Sequence, residues 1–208
     1  MERQTTRAAS PWLDARAREE ERRAKREAVL VAAVRSFNAR GFRATSLDDV
    51  AAELNVTKPT IYYYYASKDE ILFECVARGL DYIRSAAEEG VAEGGSGAER
   101  LRALMTGYAL MMTEDFGICV SRTLDSELTP EGRARFRALK RDIDQLTRRV
   151  VEEGMADGSL RAGDPRMVTF TLTGALNWIA RWYRPDAPMS AREVAKGVVD
   201  TLMRGVLP

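Results

Sequence analysis

The sequence predicts an all-α protein of about nine helices, in which an N-terminal three-helix helix-turn-helix unit precedes a larger helical bundle. Almost every periodic segment repeats its apolar residues at the three- and four-residue spacing of an amphipathic helix. No segment alternates polar and apolar residues convincingly, as a half-buried strand does. The seven prolines and most of the glycines fall between the periodic segments, where they begin or end helices.

The composition of the 208-residue chain indicates a folded protein that is not an enzyme. Hydrophobic residues make up 45% of the chain and charged residues 30%, which leaves enough apolar side chains for a core. The chain has no histidine, which excludes histidine-activated nucleophiles, histidine general bases and histidine-ligated metals. Nucleotide-binding glycine motifs are also missing. We therefore expect no catalytic site, no metal site and no cofactor.

The N-terminus and the two cysteines favour a soluble, cytoplasmic protein. The first residues are charged and lack the apolar core of a signal peptide, and the longest aliphatic run, Val29–Val34, is too short to cross a bilayer. Cys75 and Cys119 are too few and too far apart for a disulfide framework or a metal knuckle. We expect two reduced thiols and no membrane partner, with a thiol switch at Cys119 as an alternative.

The first helix follows a predicted flexible tail. Residues 1–21 are charged and carry no sustained apolar stripe, so they are assigned to this tail. A helix is predicted from about Arg22 to Arg40, and Gly41 ends it as a residue suited to left-handed backbone. Its apolar face consists of Leu30, Ala33, Val34 and Phe37.

Two short helices complete the N-terminal unit, which is predicted to span residues 22–68. Ser46 is an N-cap with an acid three residues later, and Asn55 tolerates the left-handed geometry that ends this second helix. The third helix has Thr57 as its N-cap and Pro59 in its first turn. A small core is predicted to contain Phe37, Phe42, Val50, Ala51, Leu54, Val56 and Ile61.

The larger unit, residues 69–208, is predicted to be a helical bundle. Ser67 and Glu70 form a capping box that opens a helix to about Glu89, and a glycine-rich loop follows over residues 90–97. Four further helices are assigned from their apolar periodicity to residues 99–113, 129–156, 165–183 and 190–206.

The second short helix of the helix-turn-helix carries a surface suited to DNA. In such units the exposed face of this helix enters the major groove. Four successive tyrosines, Tyr62 to Tyr65, cannot all be buried on one short helix, and Tyr65 is the one that continues the face of Ile61. Lysine, threonine and tyrosine side chains can donate hydrogen bonds to phosphates and base edges. Residues 22–68 carry nine basic and four acidic side chains, a net charge of +5, in a chain whose total is +1.

The segment from about Ala24 to Val76 resembles the TetR family of bacterial transcriptional regulators. The run AVLVAAVRSFNARGFRATSLDDVAAELNVTKPTIYYYYASKDEIL has the helix order and spacings of that family. Asn55 replaces the usual turn glycine, and Tyr64 stands where histidine is common. The resemblance implies a homodimer that binds a palindromic operator, pairing through the helices at about 165–184 and 190–206. It places these residues at the DNA: Thr45, Lys58, Thr60, Tyr62, Tyr63, Tyr64 and Lys68.

The bundle carries a candidate site for a hydrophobic small molecule. Asn177 and Arg181 lie four residues apart on an apolar helix, beside Trp178 and Trp182, which suggests a few polar groups that orient an apolar ligand. Adaptable apolar walls are expected from Tyr108, Met111, Met112 and Phe116. The predicted ligand-binding set is Tyr108, Met111, Met112, Phe116, Asn177, Trp178 and Arg181.

The effector is predicted from a second, shorter resemblance. The run GALNWIARWYRP is similar to the C-terminal domains of TetR-type regulators of fatty-acid, sterol and aromatic-acid degradation, several of which respond to acyl-CoA thioesters. This similarity implies a CoA thioester with a hydrophobic acyl group. Its phosphates would need cationic partners, for which the candidates are Arg102, Arg122 and Arg181.

These inferences predict a repressor whose operator binding ends when an effector shifts the helix at 67–89. The methionines could instead be core filler, and Arg181 could form a surface or interface ion pair. The effector could also be an amphipathic drug or a free fatty or aromatic acid. A DNA-binding module without any small-molecule effector is a further alternative.

Overall fold

The computed structural model describes residues 11–92 and 95–208, and within them the chain is entirely helical apart from turns and loops. This confirms the predicted all-α fold. The helices are α1 Pro11–Arg40, α2 Leu47–Glu53, α3 Lys58–Tyr64, α4 Lys68–Ala92, α5 Gly97–Met111, α6 Asp115–Arg122, α7 Pro130–Ala156, α8 Pro165–Trp182 and α9 Ala191–Val206, with a short 3₁₀ turn at Asp125–Glu127.

Helix α1 begins much earlier than the sequence predicts. Residues 11–21 are helical and not part of a flexible tail, while residues 1–10 lie outside the described residues. Pro11 occupies a helix start, where its missing N–H is harmless, and ion pairs one turn apart support the exposed first turns. They join Arg22 to Glu19 at 2.8 Å and Lys25 to Glu21 at 2.6 Å. An apolar stripe is unnecessary here because the buried part of α1 already nucleates the helix.

The turn between α2 and α3 has the predicted local chemistry. Ser46 and Asp49 form a reciprocal capping box at the start of α2. Asn55 has a φ of 54°, which is the left-handed backbone predicted to end that helix. Pro59 lies in the first turn of α3. These features fix the angle at which α3 leaves α2.

Two apolar cores lie along the chain. The first joins α1, α2 and α3 to the beginning of α4, and includes Leu30, Val50, Ile61 and Ile71. It continues through Val76, so the packing of the N-terminal unit passes the predicted boundary at residue 68. The second core lies within the bundle, among α4, α5, α7, α8 and α9.

Helix α6 and the 3₁₀ turn after it were not predicted, because α6 is short and lacks the capping box that marks α2 and the first-turn proline that marks α3. Helix α6 packs against α1, α4 and α8, so it lies between the N-terminal unit and the bundle. Helices occupy both ends of the predicted loop at residues 90–97, so the connection between them is shorter than predicted. Helix α4 continues to Ala92 and α5 begins at Gly97, and residues 93–94 lie outside the described residues.

Helices α5 and α7 meet at two glycines. A Cβ atom built on Gly97 would lie 2.2 Å from the Cα of Gly154, so the two backbones are in direct contact. The N-terminal amides of α5 are satisfied by the turn that follows α7. The Gly97 N–H donates to the Asp157 carboxylate at 2.7 Å, and the Ala98 N–H donates to the Ser159 hydroxyl at 2.9 Å.

Candidate functional site

The exposed face of α3 contains most of the side chains predicted to contact DNA. Tyr63 is 71% exposed and Tyr62 is 46% exposed. Lys58, at the start of the helix, is also exposed, and its ammonium group lies 2.8 Å from the Asp48 carboxylate, which raises the pKa of the lysine. The hydroxyls of Thr60 and Thr57 are hydrogen bonded at 2.9 Å. These groups form one hydrogen-bonding surface on α3.

The tyrosine row divides into displayed and buried members. Tyr64 is half-buried and packs against the first core, with its ring edge-to-face to Tyr63 at 4.9 Å between centroids. Tyr65 is fully buried, as predicted. Its hydroxyl donates to Glu74 of α4 at 2.9 Å, and its burial raises its pKa. The Arg26 guanidinium lies 4.4 Å from the Tyr65 ring centroid. Tyr65 therefore connects α3 to both α4 and α1.

The Thr45 side chain, which is predicted to contact DNA, is buried in this structure. Thr45 is only 1% exposed. Its hydroxyl donates to the carbonyl of Ser36 at 3.2 Å and to that of Gly41 at 3.0 Å. The side chain closes the α1–α2 loop and leaves no donor for a partner. For Val56 the difference is reversed. The sequence predicts it in the small core, but it is 39% exposed.

Lys68 is also occupied within the chain. Its ammonium group donates to the carbonyls of Phe42 and Thr45, both at 2.8 Å, and lies 4.9 Å from the Phe42 ring centroid. Burial lowers the pKa of Lys68. The ammonium group of Lys68 therefore holds the α1–α2 loop in place, and its contact with DNA stays a prediction. Lys58 and Arg43 remain exposed on the same unit.

A cavity of about 440 Å³ lies in the bundle between α4, α5, α6, α7 and α8. Six of the seven residues predicted to bind a ligand are in its lining: Tyr108, Met111, Met112, Asn177, Trp178 and Arg181. Phe116 is the exception. It packs against both cores beside the Arg78 guanidinium, 5.3 Å from the ring centroid, because it lies in the first turn of α6 where that helix meets α1 and α4.

The α4 side of the cavity was missed by the sequence analysis. Cys75, Val76, Gly79 and Ile83 contribute to the lining. Their periodicity predicts a helix with an apolar face but does not show which neighbour that face meets. Gly79 is the most informative of them, because a Cβ there would lie 3.2 Å from the Met111 Cε, so a small residue keeps this wall open.

The cavity lining includes polar and charged side chains besides its methionines, and four of them are linked to one another. The buried Tyr108 hydroxyl donates to the Asn177 side-chain carbonyl at 2.9 Å. Burial raises the pKa of Tyr108 to about 12, so it stays a neutral donor. The Arg181 guanidinium donates to the Ser121 carbonyl at 3.1 Å, and the Ser121 hydroxyl donates to the Asn177 carbonyl at 3.2 Å. The cavity is suited to a mainly apolar ligand with a few polar atoms.

Two of the three cations predicted for ligand phosphates lie elsewhere. Arg102 forms an ion pair with Asp200 of α9. Arg122 donates to the Ala180 carbonyl at 3.3 Å, and its pKa is lowered by burial and by neighbouring arginines. Neither lines the cavity. Both arginines connect helices, a role that sequence spacing does not distinguish from ligand binding.

Helices α8 and α9 share an exposed apolar groove outside the cavity. Its volume is about 740 Å³, and Trp178, which is 64% exposed, lies between this groove and the cavity. Trp182 and Met189 are also exposed there. The groove is lined by Gly174, Ala175, Trp178, Trp182, Met189, Val194, Gly197, Val198, Thr201 and Leu202.

Three other expectations concern chemistry and membranes. Cys75 and Cys119 are buried and form no disulfide, and the Cys119 thiol together with burial raises the pKa of Cys75. The described ranges contain no cluster of three or more His, Cys, Asp or Glu side chains that could hold a metal ion. Within the same ranges, none of the helices combines the length and the apolar composition needed to cross a membrane.

Comparison with known proteins gives matches to two protein families. Residues 29–75 match the family described as bacterial regulatory proteins, tetR family, and residues 94–206 match the Tetracyclin repressor-like, C-terminal domain family. The HTH-type transcriptional repressor KstR2 of Rhodococcus jostii is 26% identical over 185 residues, which cover 88% of this chain and 91% of the relative.

Two solved structures are similar over most of the chain. The TetR family transcriptional regulator PfmR from Thermus thermophilus is 31% identical, with a TM-score of 0.74 over 85% of this chain and 97% of that one. AibR, in complex with isovaleryl coenzyme A and operator DNA, is 27% identical, with a TM-score of 0.73 over 86% of this chain and 98% of that one.

Proposed function

Because the chain belongs to the TetR family of bacterial regulatory proteins, we propose that it is a homodimeric repressor released from its operator by an acyl-CoA thioester. The observation that carries this proposal is the position of α4. This helix forms one wall of the bundle cavity through Val76 and Gly79. One turn earlier it holds Tyr65 of the DNA-binding unit through Glu74. A ligand that displaces this wall of the cavity therefore also displaces the part of α4 that positions α3.

The DNA-binding surface is the exposed face of α3, with Lys58, Thr60, Tyr62 and Tyr63 in contact with the major groove. The surrounding unit carries a net charge of +5 over residues 22–68, which suits phosphate contacts. In a dimer, two copies of α3 would read half-sites about one helical turn, ~34–36 Å, apart or at a related spacing.

The dimer interface is the apolar face of α8 and α9. A groove of about 740 Å³ with exposed tryptophans is a large apolar feature for a monomer surface. A second copy of the chain related by a two-fold axis would cover Trp182, Met189 and Leu202 with the same residues of its own.

The effector binds in the cavity with its acyl group among the methionines. A volume of about 440 Å³ lies within the usual ~300–1,000 Å³ of small-molecule sites. Met111 and Met112 give walls that adapt to different chains, while Tyr108 and Asn177 offer polar atoms for a thioester. The complex of the related AibR with isovaleryl coenzyme A supports this ligand class.

Release follows from a difference in affinity. The effector lowers operator affinity only if it binds the α4 arrangement that fits DNA poorly more tightly than the arrangement that fits it well. The effector and the operator then favour opposite arrangements of α4, so the binding of one weakens the binding of the other.

Two substitutions on α8 test the cavity directly. Thr173 lines the cavity, whereas Thr171 is exposed outside it, and the hydroxyl of each donates to a helix carbonyl four residues earlier at 2.9 Å. Operator affinity is measured by fluorescence anisotropy on the upstream intergenic DNA, with isovaleryl-CoA, octanoyl-CoA or benzoyl-CoA added. We expect an acyl-CoA to weaken binding at least about 10-fold, an effect of roughly 1.4 kcal/mol, and Thr173→Trp to abolish this response.

Thr171→Trp is the matched control and should respond like the wild-type protein. Release by free fatty acids or amphipathic drugs with no response to any acyl-CoA would reject the proposed ligand class. If none of these compounds changes operator affinity, the protein is a DNA-binding module without a small-molecule effector, and the sensor proposal fails.

A further inference from the structure

A basic depression of about 500 Å³ lies beside the bundle cavity, between α7 and the start of α8. We call it the basic groove. It shares Lys140, Asp144 and Phe170 with the cavity lining, so the two spaces adjoin. The groove is lined by Arg137, Lys140, Arg141, Asp144, Arg148, Arg166 and Phe170.

The cations of the basic groove exceed the carboxylates available to them. Five of the seven lining residues are basic and Asp144 is the acid among them, while Asp125, outside the lining, pairs with two of the five. Arg137 and Lys140 lie 2.5 Å and 3.6 Å from Asp125, and the Arg148 guanidinium lies 2.5 Å from Asp144. The groove therefore keeps a net positive charge after these pairs form.

Two arginines of the basic groove have no such partner. Among the residues that the structure describes, no carboxylate lies within 4.0 Å of the guanidinium of Arg141 or Arg166. The Arg166 guanidinium instead lies 5.4 Å from the ring centroid of Phe170, which is 47% exposed. An exposed aromatic ring beside two available forked donors can accept a planar base and its phosphates.

We infer that the basic groove binds the phosphorylated nucleotide end of the effector whose acyl group occupies the cavity. The inference rests on the proposed function and assigns a separate site to the part of coenzyme A that an apolar cavity cannot hold. Of the cations that line the cavity, Arg181 already donates to the Ser121 carbonyl and Lys140 lies at the border shared with the groove. Phosphates buried among the methionines would therefore lack cationic partners, which is strongly unfavourable. Arg141 and Arg166 bind the phosphates at the groove, and the pantetheine arm passes Lys140 and Asp144 at the shared border.

The alternative for a basic helix face is ordinary solvation without a ligand. The position of the groove argues against it. One face of α7 carries residues at helical spacing, namely Arg137, Arg141, Asp144 and Arg148. This face adjoins the cavity, because Asp144 lines both the groove and the cavity. An anionic ligand bound here would also neutralise the positive charge that remains after Asp125 and Asp144 form their ion pairs.

The test compares ligands with and without the phosphorylated nucleotide end of coenzyme A. The full-length protein is titrated calorimetrically with isovaleryl-CoA and octanoyl-CoA, and with the matching acyl-pantetheine thioesters, which have no phosphate. The double variant Arg141→Ala/Arg166→Ala is compared with Arg149→Ala. Arg149 is an exposed arginine of α7, the helix of Arg141, and lies outside the groove. Because neither groove arginine forms an ion pair, the double variant should fold normally.

If the basic groove holds the phosphates, the double variant should lose affinity for acyl-CoAs but not for acyl-pantetheines. The double variant should bind the acyl-CoAs at least about 10-fold more weakly, since charge-assisted hydrogen bonds to phosphate are among the stronger ones. It should bind the acyl-pantetheines within about twofold of the wild-type protein, and Arg149→Ala should change neither. The acyl-CoA affinity of the wild-type protein should also fall with salt more steeply than that of the double variant.

Three results would overturn the inference, and they distinguish a failure of the groove assignment from a failure of the proposed function. If the double variant binds acyl-CoAs as tightly as the wild-type protein, or loses both ligand types equally, the groove does not hold the phosphates while the proposed function stands. If the wild-type protein binds neither the acyl-CoAs nor their pantetheine esters, the proposed function fails and the groove assignment fails with it.

Discussion

Tyr63 is the most exposed large side chain on α3, and its neighbours show what a sequence reveals about single residues. Four successive tyrosines on a short helix predict that some are displayed and some buried, and the structure buries Tyr65 and displays Tyr62 and Tyr63. The roles of Thr45 and Lys68 could not be predicted in this way. Both donate to carbonyls of the α1–α2 loop. Every residue has a backbone carbonyl, so the sequence does not indicate which of them will accept such a bond.

Replacing Tyr63 tests the reading face at a single residue. Tyr63→Ala removes a ring and a hydroxyl that no core contact requires. We expect operator affinity to fall about 10-fold or more, since a good base or phosphate contact contributes ~1–3 kcal/mol. Tyr82→Ala is the control, because Tyr82 is a similarly exposed tyrosine, at 47%, on α4. Anisotropy titrations that give the same operator affinity for both variants would show that this face does not read DNA.

At the scale of helices, the long periodic segments were predictable and the exceptions have physical causes. The start of α1 was assigned to a tail because exposed charged turns carry no apolar stripe, although ion pairs and the buried continuation of the helix support them. Helix α6 was missed because it is short and has neither a capping box nor a first-turn proline at its start. Its position between α1, α4 and α8 depends on tertiary packing, which periodicity does not contain.

The first turns of α1 should therefore be sensitive to acid. Hydrogen bonds from Arg22 and Arg23 lower the pKa of Glu19 to about 2 from its ordinary 4.5. A carboxyl with a depressed pKa stabilises the folded helix above the unfolded value and loses this contribution as pH falls through the folded value. We expect the Cα chemical shifts of residues 15–23 to remain helical at pH 7 and to move toward coil values between about pH 4.5 and 2.

Two neutral variants separate the ion pair from general acid effects. Glu19→Gln should show reduced helical shifts at pH 7 already, because both arginine contacts are weakened. Glu20→Gln should not, since Glu20 is exposed and forms no ion pair within the described residues. Equal helical shifts for the two variants and the wild-type protein at pH 7 would show that the Glu19 pairs do not support this part of α1.

At the scale of the whole molecule, two regions carry an excess of basic residues, the DNA-binding unit and the basic groove. The DNA-binding unit holds a net +5 in a chain of total charge +1, which the sequence alone reveals. The basic groove could not be found in the same way, because Arg166 joins it from another helix and the cavity that gives the groove its meaning is formed by five helices. The candidates taken from the sequence are Arg102, Arg122 and Arg181, of which Arg102 and Arg122 connect helices.

The central claim is that one equilibrium of α4 links the cavity to α3. Thermodynamic linkage requires that operator DNA weaken effector binding by the same factor by which the effector weakens operator binding. Calorimetric titration of isovaleryl-CoA into the dimer, alone and saturated with operator, measures this factor directly. The account predicts an affinity lower by at least about 10-fold in the presence of operator, matching the anisotropy result, and equal affinities in both titrations would contradict it.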